Sequence, residues 1–218
     1  DIDSDILISI LQYNSKQLGI GTISKPVQKM YYVDDKGALT FTSGACINSF
    51  TLEKPIKILL NNRLVKLFKL FKGKKVHFTL GYDKLSGEII QTKVKFETDD
   101  ISISAILSCD DSMINSVPVT AIRNRANANY KNSISLDRTH LIETINRLLL
   151  FTSNKLTAYC NFTFNKDYVV ISDLEGENKE TLYYNNDVPN CAEEYTAVLD
   201  LTDLKNVLDS YAEQYITL

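Results

Sequence analysis

Residues 56–80 read IKILLNNRLVKLFKLFKGKKVHFTL, and residues 196–218 read TAVLDLTDLKNVLDSYAEQYITL. In the first stretch an apolar strand, Ile56–Leu60, meets Asn61-Asn62, a pair able to cap a helix running to about Phe71. Gly73 stops that helix, and Val76, Phe78 and Leu80 then alternate with His77 and Thr79 as a half-buried strand does. The second stretch has the same order: a strand at Tyr195–Leu199, a helix at Leu201–Tyr211, and a strand from Tyr215. A shift of 140 lays Ile58-Leu59-Leu60 on Val198-Leu199-Asp200, Leu64, Leu67, Phe68 and Phe71 on Leu204, Val207, Leu208 and Tyr211, and Val76 on Ile216. Upstream a shift of 130 lays Leu39, Phe41 and Thr42 on Val169, Ile171 and Ser172. The chain therefore reads as two copies of one unit, helix–strands–helix–strands.

Working outward, the first copy opens with a helix carrying Ile6, Leu7, Ile10 and Leu11 on one side and Ser9, Gln12 and Lys16 on the other. Strands follow near 27–33, 38–42, 46–52, 88–96 and 101–107, with Asp34-Asp35-Lys36-Gly37 as a turn. In the second copy Asp137 caps a helix bearing Leu141, Ile142, Ile145, Leu148 and Leu149, before strands near 156–164, 168–172 and 180–184. The expected class is α+β, with helices on one face of antiparallel sheets. The expected division is a first domain 1–115, an extended connector 116–132 containing Pro118, Arg123 and Arg125, and a second domain 133–218.

Composition narrows the function. A chain of 218 residues with 44% hydrophobic and 23% charged residues is neither collagenous nor disordered. Its densest apolar run, Leu148–Phe151, is far short of the ~20 residues a bilayer needs, and no secretory leader pattern opens the sequence. The reading is a soluble intracellular protein with no membrane contact. Cys46, Cys109, Cys160 and Cys191 are too dispersed for a zinc site and read as free thiols. The net charge of -3 conceals an asymmetry: residues 54–95 hold eleven basic residues against Asp83 and Glu88, a local +9, leaving -12 elsewhere.

Catalytic groups are sparse. His77 and His140 read as surface residues, and no phosphate loop or nucleophile elbow occurs. The pairs Asp99-Asp100 and Asp110-Asp111 read as solvated turns, and Asp173, Glu175 and Glu177 around Gly176 as a hairpin rather than a calcium loop. No cofactor and no metal is expected. On the helix 61–72, at 100° per residue, Leu64, Leu67, Phe68 and Phe71 share one arc, while Lys66 and Lys69 project opposite, with Arg63 and Lys72 at the flanks. Such a basic face suits a phosphate backbone, and with no aromatic ladder beside it a duplex is favoured over single strands.

Two such repeats joined by a connector resemble the sliding-clamp family of DNA polymerase processivity factors. Tyr31-Tyr32, then Asp35-Lys36-Gly37-Ala38-Leu39 and Phe41-Thr42-Ser43-Gly44-Ala45, are similar to the middle domain of the bacterial clamp, with Ser43 in place of an Asp. Ser135-Leu136-Asp137 before its apolar helix, and Thr196–Leu201 before Leu204–Leu208, are similar to clamp domain segments. The resemblance implies a ring of six domains, a trimer of this two-domain chain or a dimer of three-domain chains, with helices facing duplex DNA. It implies DNA contacts from Ser9, Gln12, Lys16, Arg63, Lys66, Lys69, Lys72, Arg138, Arg147 and Lys205, although Asp203, Asp209 and Glu213 make the last helix acidic. It further implies a pocket for short peptide motifs of polymerase and clamp loader at Thr42, Gly44, Ile47, Pro118 and Ile122, no catalysis, and a cytoplasmic setting in a bacterial cell or phage-infected host. Two alternatives stay open: a monomeric DNA-binding processivity factor of the same fold, and an unrelated α+β enzyme.

Overall fold

The computed structural model describes all residues except 20–23, 43–44, 86–87, 108–109, 129–132, 153–157, 186–190 and 192, and the side chains of residues 16, 84, 85, 88 and 89. Its contacts divide the chain into two compact units, Asp1–Asn127 and Ala128–Leu218. No helix among the described residues is long and apolar enough to cross a membrane.

In the first unit β1 (Ile2–Asp3) leads into α1 (Ser4–Asn14), followed by β2 (Met30–Asp34), β3 (Gly37–Phe41), β4 (Ala45–Ser49) and β5 (Lys57–Asn61). Then come α2 (Asn62–Lys66), a 3₁₀ segment (Leu67–Phe71), β6 (Lys75–Leu85), β7 (Glu88–Glu97) and β8 (Ser102–Ile106). The strands form two antiparallel sheets, ordered β1-β6-β7-β8 and β4-β3-β2-β5. Both helices pack on them through Leu7, Ile10, Leu64, Val65, Phe68 and Phe71. Phe68 meets Phe96 edge-on with ring centroids 4.9 Å apart.

The second helix departs from the expected geometry. Asn61 caps it as anticipated, its side-chain oxygen accepting from the Leu64 N–H at 2.9 Å, and Gly73 ends it at φ 74°. At Leu67, however, the α-helix tightens to three residues per turn. Val65, Phe68 and Phe71, three apart, then stack on one buried face, while Leu67, expected inside, is 41% exposed and Leu70 is 55% exposed. A spacing of three drifts by 60° per step in an α-helix and by nothing in a 3₁₀ helix.

Three further expectations change. The expected connector is helical rather than extended over its described residues, holding α4 (Val119–Ala126), and is preceded by α3 (Asp111–Asn115), capped by Asp110; Ile114 and Val117 are buried in the first unit's core. With that cover in place, β2 and β3 are buried on both faces. Ser9 does not face solvent beside Gln12, because its hydroxyl accepts from Asn48 Nδ2 on β4 at 2.7 Å. Residues 26–29 form a 3₁₀ turn before β2 rather than strand.

The second unit runs β9 (Ser135–Asp137), α5 (Arg138–Thr152), β10 (Tyr159–Phe164), β11 (Tyr168–Asp173), β12 (Lys179–Tyr183), β13 (Tyr195–Asp200), α6 (Leu201–Leu208) and β14 (Tyr215–Thr217). Its sheets are β12-β11-β10-β13 and β14-β9. The order matches β1, α1, β2 to β5, α2 and β6 of the first unit, so the duplication of elements stands. The fold is α+β with helices against antiparallel sheets. The strand registers are shifted by one residue from those read in the sequence. The turn Asp35-Lys36 corresponds to Lys166-Asp167, where the Asn165 N–H donates to the Tyr168 carbonyl, so the offset is 131. Likewise the caps Asn61 and Asp200 are 139 apart. An offset of 130 would exchange the two faces of every strand, an error invisible in β2 and β3 because they are apolar on both sides. The 140 offset holds for Val76 and Ile216, which pair with Ile2 and Leu136.

Candidate nucleic-acid interface

Arg63, Lys66, Lys69 and Lys72 are all exposed, and none of their side chains has a hydrogen-bond or ion-pair partner among the described residues. The 3₁₀ geometry places Lys69 directly after Lys66 along one line instead of 60° around the axis. Lys66 and Lys69 border a groove of about 550 Å³ whose other wall is α1, through Ile8, Leu11 and Gln12, and the turn after it, through Ser15. Cations and uncharged hydrogen-bonding groups thus share one surface, fitted to accept anionic oxygens without reading their sequence. Lys16 falls in the 3₁₀ turn after α1, and its side chain lies outside the described residues.

The cations expected on the second unit's helices are engaged. Arg147 grips Glu180 on β12 with both edges of its guanidinium, Nε to Oε1 at 2.5 Å and Nη2 to Oε2 at 2.7 Å, and Nη2 also donates to Thr144 Oγ1. This pairing holds the Glu180 carboxyl below its ordinary range. Arg138 donates from Nε to the Glu213 carbonyl at 2.9 Å and from Nη1 to the Leu208 carbonyl at 3.4 Å, closing the C-terminal end of α6. Lys205 pairs with Asp209 at 3.0 Å.

The expected peptide-pocket residues are only partly gathered. Pro118 lines a groove of about 590 Å³ with Tyr32, Asp34, Lys36, Lys57 and Arg123. Ile47 and Ile122 both pack, half-buried, on the first unit's core. Thr42 is hydrogen-bonded to Gln17 at 3.3 Å, and Gly44 lies outside the described residues. The groove rests on an ion pair that sequence reading missed: Arg123 donates from Nη1 and Nη2 to the two oxygens of Asp34, both at 2.7 Å, with only 7% of the Asp34 side chain exposed. Burial alone would push the Asp34 carboxyl up, but Arg123 and the Lys36 N–H outweigh it and hold the group below the usual carboxylate range.

No protein-family model and no curated protein matches the sequence. Solved structures do. The beta chain of DNA polymerase III from Streptococcus pneumoniae superposes with a TM-score of 0.76 at 15% identity, over 99% of this chain and 56% of that one. The beta subunits from Pseudomonas aeruginosa and Thermotoga maritima give 0.72 at 14% and 0.70 at 12%, each over 99% of this chain and 58% and 57% of their own. A structure from Bacillus subtilis described as a DNA polymerase sliding clamp gives 0.71 at 12%. The fold is that of the sliding clamps. The chain spans somewhat more than half the length of the clamp chains it matches.

On this clamp fold three large apolar side chains stand out by exposure: Ile106 at 82%, Tyr183 at 75% and Leu150 at 73%. Ile106 ends β8 and Tyr183 ends β12, and each strand is the outermost of its sheet with one backbone edge unpaired among the described residues. Leu150 belongs to α5, the helix tied to β12 by Arg147 and Glu180. Sequence periodicity could not find them, because alternation marks which side chains leave the core and not which strand ends its sheet.

Proposed function

We propose that this chain is a processivity clamp: it encircles duplex DNA without reading its sequence, tethers polymerase and clamp loader through short peptide motifs, and catalyses nothing. The observation that carries the reading is the uncompensated row Arg63, Lys66, Lys69 and Lys72 beside α1 on a clamp fold. Phosphates attract such a row from any sequence, and a ring held topologically needs no tighter grip.

The ring closes by edge pairing between copies, β8 of one with β12 of another. Exposed strand edges flanked by apolar side chains are the places where a chain associates with itself, and closure removes them. Six domains per ring make a trimer of this chain, so the mass in solution is about three times 24.7 kDa; a dimer of three-domain chains and a charge-held monomer are the other outcomes. Partner peptides dock in the groove that Pro118 lines with Tyr32 and Arg123, with Thr42, Gly44, Ile47 and Ile122 as the other positions the resemblance implies.

The decisive experiment loads the protein on nicked circular DNA and raises the salt. A ring stays on the circle and leaves once the circle is linearised. Dissociation of both forms at the same salt concentration refutes encirclement.

A further inference from the structure

Not all the cations expected to meet DNA are equally available. Within 62–72 there are four basic residues and no acidic one, and the row they form has no ion-pair partner among the described residues. On α5 and α6 the expected cations are already engaged within the fold. Arg147 binds Glu180, Arg138 closes the end of α6, and Lys205 binds Asp209. An ion pair presents a dipole rather than a charge, and its field falls off faster than that of a lone cation. To reach a phosphate, Arg147 would give up two charge-assisted hydrogen bonds and leave Glu180 facing the same anion.

Resting on the clamp reading above, we infer that phosphate contact is made by the first unit alone, through Arg63, Lys66, Lys69 and Lys72, and that Arg138, Arg147 and Lys205 of the second unit hold their own fold together. The geometry of the row supports this division. Tightening at Leu67 turns a three-residue spacing of cations into a line, with Lys66 and Lys69 about 6 Å apart along the axis. An unbroken α-helix would fan the same four side chains over half its circumference. DNA therefore lies against one helical segment per chain, residues 62–72, whose cations are unpaired.

The test is the salt dependence of binding to a short linear duplex, measured by fluorescence anisotropy with the full chain. Binding falls with salt as about 0.9 per phosphate neutralised on logarithmic axes. Four contacts per chain predict a loss of roughly 150-fold between 50 and 200 mM salt, and two contacts roughly 12-fold. Lys66→Gln with Lys69→Gln should therefore halve the slope. A variant that removes charge in pairs, Arg147→Gln with Glu180→Gln and Lys205→Gln with Asp209→Asn, should leave it unchanged. If the paired variant, folded by circular dichroism, lowers the slope as much as the lysine variant, the division between units is overturned while the clamp reading survives. If the wild-type chain binds no duplex at 50 mM salt, the inferred phosphate contacts fall, while the clamp reading is judged by retention on circular DNA.

Discussion

Replacing Arg123 by Ala should destabilise the first unit far more than the loss of a surface charge would. The two partners are 89 residues apart in sequence, meet through two 2.7 Å bonds, and are mostly shielded from water, with side-chain exposures of 20% and 7%. Exposed pairs contribute about 0–1 kcal/mol. Here the variant strands a buried carboxylate, and breaking a buried pair from one side costs about 3–5 kcal/mol. For a unit of this size each kcal/mol lowers the melting temperature by roughly 3–5 °C, so calorimetry of the full chain should show a fall of ~10–20 °C in its transition. Asp34→Asn combined with the same Arg123→Ala removes both charges and should cost about 1 kcal/mol, so a cycle with the two single variants exposes a coupling of ~2 kcal/mol or more.

The pH dependence checks the same reasoning independently. The folded state holds Asp34 below its ordinary pKa, so the pair stabilises the wild type above pH ~4 and is lost as the pH falls through the folded value. In Arg123→Ala only the Lys36 N–H and Tyr32 still oppose burial, so the group rises relative to the wild type and the penalty grows as pH rises past the ordinary carboxylate range. The gap between the two proteins must therefore narrow on acidification below pH ~4. A cost under ~1 kcal/mol, strict additivity, or a gap independent of pH would refute the buried-pair argument.

Two further outcomes are expected. Ile106→Asp, on a side chain 82% exposed, should leave the melting temperature of the chain within a few degrees yet abolish association in sedimentation velocity; an unchanged mass would clear β8 of any role in the ring. Gly37→Ala should lower stability by well over 1 kcal/mol in urea titration, because φ is 145° and the added methyl would sit 2.3 Å from the Asn48 carbonyl oxygen; a neutral effect would show that β4 can move away.

What the sequence disclosed was whatever depends on near neighbours. Asn61 and Asp137 were readable as caps because the hydrogen bonds they accept reach only three residues ahead. The order of elements and the exposure of Lys66 and Lys69 followed from periodicity. The face assignment failed in β2 and β3, where α3 and α4 cover what would otherwise be a solvent side, so no polar alternation exists to read. The 3₁₀ turn was legible in principle: Arg63-Leu64-Val65, Lys66-Leu67-Phe68 and Lys69-Leu70-Phe71 repeat every three residues, a period that fits 120° and not 100°. The Arg123–Asp34 pair was not legible, since nothing local couples a hairpin turn to a helix 89 residues later.

The two units also show which side of a shared sheet is free to change. Across the first unit's sheet the row facing away from α1 and α2 reads Ile47, Leu39, Tyr32, Leu59. The corresponding row of the second unit reads Thr181, Val170, Thr163, Thr196. The first row is covered by α3 and α4, and it is apolar because water is excluded there. In the second unit Thr163 and Thr196 instead hydrogen-bond across the ladder at 3.1 Å, which satisfies their hydroxyls while keeping the branched stems a strand prefers. The middle strands of the inner rows stay apolar, Ala38 and Val33 in one unit and Ile171 and Phe162 in the other, while Asn48 and Glu180 on the edge strands bond Ser9 of α1 and Arg147 of α5. The helix side fixes the fold twice over, whereas the outer rows, the strand ends at Ile106 and Tyr183, and the cations of residues 63–72 differ between copies. Differences confined to those places leave one copy with a row of unpaired cations and the other with its cations engaged within the fold.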